Sequence, residues 1–190
     1  NNKTTGNLKN IIKHISNLKS VKDFVNLLSG GDLRSIGKSN SVVSLIVNQQ
    51  DFDELFKLIF LDDQLLVMRA IDAIEKITLK LPNYLIKHKN EILNLSTVAH
   101  DKELKWHLAQ IIPRLSLTPP ELTKAWKLLT NWALDKNNSR IVRVNSIQGL
   151  FEMLKENNEL TQDFDLTLTE LEKEDIPSIN ARIRSIKNKI

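Results

Sequence analysis

The side chains best suited to metal ligation or proton transfer near neutral pH are four histidines, His14, His88, His100 and His107. They are scattered along the chain. No His-x-x-x-His or Glu-x-x-His spacing brings two ligands onto one turn of helix, and His88 and His100 are too far apart to share a helical face, so no metal site is expected. There is no cysteine, which excludes disulfides and thiolate metal sites. Gly30-Gly31 and Gly37 surround Ser29, Asp32 and Lys38, but the order of a phosphate-binding loop and the strand that should precede it are both missing. No catalytic residue and no cofactor is therefore assigned, and the chain reads as a non-enzyme.

The elements that would position any site are helices. Hydrophobic residues make up 41% of the chain and aromatics 5%, while Gly and Pro number five each, too few for a fold with many hairpin turns. At 190 residues the chain can bury a core of ordinary size. The formal charge is +4, from 27 Lys and Arg against 23 Asp and Glu, with a pI near 9.2. That balance permits phosphate binding without demanding it. No apolar run approaches the roughly 20 residues that span a bilayer, so no membrane partner is expected, and with no cysteine to suggest an oxidising compartment a cytoplasmic location is expected. The chain opens Asn1-Asn2-Lys3 without an initiator methionine, as expected of a chain trimmed at its start.

A repeat organises these helices. Val67, Ala70, Ala73, Ile74 and Ile77 stand at offsets 0, 3, 6, 7 and 10, one face of a helix. A step of 38 leads to Lys105, Leu108, Ile111, Ile112 and Leu115, and a second to Arg143, Ser146, Gly149, Leu150 and Met153. Only the first position becomes charged, as at the edge of a stripe where a long stem lies on apolar surface with its head in water. A weaker copy follows at Asn180, Ile183, Ile186 and Ile190, after Pro177, and a divergent one precedes at Ile36, Ser39, Val42, Val43 and Ile46. Asp63, Asp101 and Ser139 each stand four residues before a stripe, as helix caps. Between these helices the pattern predicts others over Phe52 to Phe60, Tyr84 to Val98, Glu121 to Leu134 and Leu160 to Glu172. Two more are predicted over Leu8 to Leu18 and Val21 to Leu28, the latter ended by Gly30-Gly31.

Short connections force neighbouring helices antiparallel, and an amphipathic hairpin must stack on others to bury both apolar faces. The expected fold is all-α: an α-solenoid of about five stacked antiparallel helix pairs. A single domain over 1–190 is predicted, with a divergent N-terminal repeat over 1–50 and repeats over 51–78, 82–116, 119–156 and 160–190. Asp62-Asp63-Gln64-Leu65-Leu66-Val67-Met68-Arg69-Ala70, continuing to Ile77, resembles the second helix of a HEAT repeat. Ser139-Arg140-Ile141-Val142-Arg143, continuing to Gly149-Leu150, resembles it more closely and carries the Val-Arg pair. With Trp106-His107-Leu108-Ala109 and Pro113-Arg114-Leu115, the chain is similar to small bacterial HEAT-like, armadillo-type proteins of unassigned function. That resemblance implies a superhelix whose second helices line a concave side.

Offsets 2, 5 and 9 lie opposite the stripe and read Arg69, Asp72, Lys76; His107, Gln110, Arg114; and Asn145, Gln148, Glu152. Such columns are either a solvated helix face or a surface for a protein or peptide. The expected binding set is Arg69, Asp72, Lys76, His107, Gln110, Arg114, Asn145 and Gln148, with Trp106 and Arg143 beside them. The grading from basic to acidic argues against a phosphate track, so nucleic acid is not favoured. Trp106 and Phe151 are expected between layers or as a partly exposed anchor.

In residue type, Trp106, Trp126, Trp132 and Asp135 resemble the set with which helical-repeat DNA glycosylases shield a damaged base and stabilise a cationic sugar. Base excision on bound DNA is therefore the alternative reading. Against it, Trp126 and Trp132 fall on first helices and Asp135 in a turn. At the C-terminus, eight acidic residues between Glu156 and Asp175 precede Arg182, Arg184, Lys187 and Lys189. This split suits ion pairing across the last hairpin, or a small basic docking patch.

Overall fold

Apolar residues recurring every three or four positions can be buried together only on helices, and helices are what they form in the computed structural model, which describes residues 20–29 and 39–189. The described residues hold ten α-helices and no strand. The fold is all-α and of the α-solenoid class. The predicted helix over Leu8 to Leu18, and the positions Gly30, Gly31, Ile36 and Ile190, lie outside the described residues.

The chain divides into two compact units, Asn1–Leu81 and Pro82–Ile190. In the first, α1 (Val21–Leu28), α2 (Ser39–Leu45) and α3 (Gln49–Phe56) surround the long helix α4 (Gln64–Lys80). Phe24, Leu28, Val42, Phe52, Leu55, Ala70, Ile71 and Ile74 are closed off from solvent between them. In the second, a 3-10 segment (Pro82–His88) leads into α5 (Lys89–Val98), followed by α6 (Lys102–Ile111), α7 (Pro119–Leu134), α8 (Arg140–Leu154), α9 (Thr161–Glu172) and α10 (Pro177–Lys187). Helix α8 lies at the centre of this unit, packed on α6, α7, α9 and α10. Each fully buried Leu or Ile contributes about 1.5–3 kcal/mol relative to exposure.

The second helices α4, α6 and α8 bury the same edge. Ile77, Leu115 and Met153 are 4%, 8% and 3% exposed, and the sets Ala70, Leu108, Ser146 and Ala73, Ile111, Gly149 are buried throughout. Two further sets are buried as well: Leu66, Leu104, Val142 and Ile71, Ala109, Ile147. The buried arc is therefore wider than the predicted stripe, because a second helix packs on its own first helix and on helices of adjoining pairs. The signal was present, since both extra sets are apolar in all three copies.

Local chemistry sets the ends. Asp63 accepts from the Leu65 and Leu66 amides at 3.0 and 3.1 Å and caps α4. Asp101 and Ser139 hold the same place before α6 and α8, but neither side chain makes a capping bond. The start of α7 is held by a reciprocal pair, in which the Thr118 amide and hydroxyl both donate to Glu121. Pro113 has no amide hydrogen and cannot continue the i−4 ladder, so α6 tightens into a 3-10 turn at Ile112–Arg114. Pro177 begins α10, where its missing hydrogen costs nothing.

Candidate functional site

At about 100° per residue, offsets 5 and 9 point away from the buried arc, but offset 2 falls only about 40° from offset 6, which is buried. The columns separate accordingly. Asp72, Lys76, Gln110, Arg114, Gln148 and Glu152 are half-buried on the open side of their helices. Arg69 and His107, expected in solvent, are instead 1% and 4% exposed, and Asn145 is half-buried.

Within the first unit, Arg69 extends from α4 to the end of α1, where its guanidinium donates to the Leu28 carbonyl. A cation there satisfies one of the orphan acceptors of a helix C-terminus. On the open side, Lys76 Nζ donates to Asp72 Oδ2 at 2.7 Å and to Asn40 Oδ1 at 3.0 Å, while the Ser39 hydroxyl donates to the same Asp72 carboxylate. Asp72 and Lys76 thus tie α4 to the start of α2, and their side chains are held in place.

Within the second unit, Arg143 was expected to reach solvent from the stripe edge; it is 2% exposed instead. Its Nε donates to the Ala133 carbonyl at 2.7 Å, and its two terminal nitrogens bind the Glu174 carboxylate as a fork, at 3.0 and 2.8 Å. That fork holds the Glu174 carboxyl below the usual carboxylate range. One side chain thereby closes the end of α7 and clamps the segment that leads into α10. The burial is dictated by chemistry: a guanidinium can leave water here because each of its nitrogens meets an acceptor.

The open side of α6 carries Trp106, Gln110 and Arg114 at i, i+4 and i+8. Trp106 is half-buried, edge-on to His107 at 5.1 Å between ring centroids, and its indole nitrogen is enclosed with no hydrogen-bond partner among the described residues. On α8, Asn145 donates back to Ile141 O at 2.9 Å. Gln148 donates to Glu152 at 2.6 Å and accepts from Arg182 at 2.7 Å, a link from α8 to α10. Phe151 is 5% exposed against Phe164.

The first-helix tryptophans are core residues. Trp126 donates to Asp163 Oδ2 at 2.5 Å and meets Phe164 edge-on, while Trp132 is 6% exposed with Lys105 over its ring. Asp135 closes the turn after α7 by accepting from the Asn137 amide at 2.9 Å. None of the three lies on the open face of Trp106. Among the described residues, no group of three or more His, Asp or Glu could hold a metal ion, and no helix is long and apolar enough to cross a membrane. In the last hairpin Lys187 pairs with Glu172 at 2.7 Å, and Arg184 and Lys189 stay exposed.

No curated protein and no solved structure matches the chain. The family described as HEAT repeat domain does match, over residues 31–190. That span takes in α2 to α10, the buried stripes of α4, α6 and α8 and the Val142-Arg143 pair, and the chain belongs to the HEAT repeat domain family.

Proposed function

We propose that this protein is a noncatalytic scaffold that binds a protein or peptide on the open face of its second helices, with Trp106 as the anchor. HEAT repeats are commonly protein-interaction scaffolds. The observation that carries the reading is the Trp106 side chain, a large aromatic left half-open on the same face as Gln110 and Arg114. Trp and Arg are also the residue types that dominate binding hot spots, and Arg114 shares the face of Trp106. Gln110, Asn145 and Gln148 supply polar contacts around it. Asp72 and Lys76 are the corresponding open-face residues of the first unit, whereas Arg69, His107 and Arg143 support the helices from within.

The test is selection of a displayed peptide library on the whole protein, followed by calorimetry of the selected peptides. Trp106→Ala is expected to weaken them at least tenfold while leaving the helical circular dichroism unchanged. Peptides that bind the variant as well as the parent would defeat the proposal. If instead duplex DNA binds, with affinity falling steeply as salt rises and indifferent to Trp106, the function moves to the nucleic-acid class.

A further inference from the structure

The layer of first helices in the second unit has a gap that packing leaves unfilled. Between α5 and α7 runs a cleft of about 650 Å³, walled by Leu93 and Asn94 on one side and by Lys124, Lys127 and Leu128 on the other, with Ala125 as its floor. Leu93 and Leu128 are half-buried and both lysines are exposed. Glu121, the acid at this cleft, is already taken by Lys89 at 2.7 Å and by Thr118, whereas neither Lys124 nor Lys127 pairs with an acid among the described residues. The cleft is therefore apolar in its depth and positive at its lip.

The opposite combination stands on α9. Phe164 and Leu168 face the core, and Leu166, two positions from Phe164 and so about 200° around the helix, is turned outward and 63% exposed. Asp165 and Glu170 are exposed on the same helix, Glu170 in a solvent-open pair with Lys173 at 2.5 Å that another lysine can replace. Helix α7 separates the two features. Its Leu128 faces the cleft, while its Trp126, again about 200° away, meets Phe164 of α9. A two-fold axis parallel to α7 and outside it would bring the outer face of each α9 over the other molecule's cleft, so that both contacts form at once, as a closed two-fold contact requires.

We infer that the α5–α7 cleft is a self-association site whose occupant is the outer face of α9 from a second copy. Leu166 fills the space between Leu93 and Leu128, and Asp165 and Glu170 meet Lys124 and Lys127. This is independent of the Trp106 face, which belongs to the second helices.

Sedimentation over a range of concentrations and salt tests it. The unaltered chain is expected to form a reversible dimer that weakens as salt rises. The double change Lys124→Glu with Lys127→Glu should lose at least tenfold in dimer affinity, and so should Asp165→Lys with Glu170→Lys, because each reverses both contacts of a like pair. An equimolar mixture of the two variants restores both contacts and should recover the dimer. Since the chain has no cysteine, Asn94→Cys and Leu166→Cys in one chain should cross-link between copies upon oxidation. The inference is overturned by a monomer at every concentration, by growth beyond two copies, by a dimer indifferent to both charge reversals, by no recovery in the mixture of folded variants, or by loss of the dimer in Trp106→Ala.

Discussion

Two residues of α8 decide how tightly the second unit closes. Arg143 is buried with every nitrogen matched, so removing it leaves Glu174 uncompensated and the Ala133 carbonyl open. Arg143→Met should cost about 3–5 kcal/mol in chemical denaturation, with Glu174→Gln costing less because it keeps the shape of the fork. Gly149 acts by having no side chain: a Cβ there would stand 2.5 Å from the Ala109 carbonyl oxygen and 3.1 Å from Leu129 Cδ1. That carbonyl is the one Pro113, four residues on, cannot engage. Gly149→Ala should therefore destabilise by about 1–3 kcal/mol through overpacking, although alanine is the better helix former at an open position. A gain in melting temperature for this variant would refute the close approach of α6 and α8. Gly149 was recognisable in the sequence as a small member of the stripe. Its partner, a backbone oxygen on another helix, was not.

At the scale of elements, α5 and α7 are joined through Glu121, which Lys89 and Thr118 hold at a pKa of about 2, with Lys89 the larger cause. The sign follows from the depression. A carboxyl that titrates near 4.5 when unfolded and near 2 when folded adds stability that is complete above the first value and is lost as pH falls toward the second. Thermal melts of the parent should thus weaken between about pH 4.5 and 2 more than those of Glu121→Gln, and equal slopes would show that the link contributes nothing. Thr118→Ala, which removes one side of the reciprocal cap, should cost about 0.5–2 kcal/mol. Pro119 and Pro120 stand in the first turn of α7, where a missing amide hydrogen costs nothing, so this start is legible in the sequence. The capping failure at Ser139 was not legible, because a serine at the right position caps only if its hydroxyl turns toward the helix, and here it is enclosed without a partner among the described residues.

For the whole molecule, nearest-neighbour packing means that damage should stay near its source. Leu129 is fully buried in the second unit, and Leu129→Ala is expected to cost about 2–5 kcal/mol. Amide exchange should accelerate first across α6 to α8, with α4 keeping its protection until higher denaturant. Uniform acceleration from α1 to α10 would instead mean that the two units unfold as one. Placing the partner-binding face on second helices and the self-association cleft on first helices would let the two contacts operate without competing for the same surface.

The chain's periodicity alone determined that it is helical, that the helices alternate in two sets, and which edge of α4, α6 and α8 is inward, since a recurring apolar offset has no other way to leave water. Tertiary structure decided what those helices do with their polar residues. Arg69 and Arg143 looked like surface because polarity and helical angle say so one helix at a time, but burial depends on which acceptors other parts of the chain bring, at Leu28, Ala133 and Glu174, and those arrive from 10 to 41 positions away.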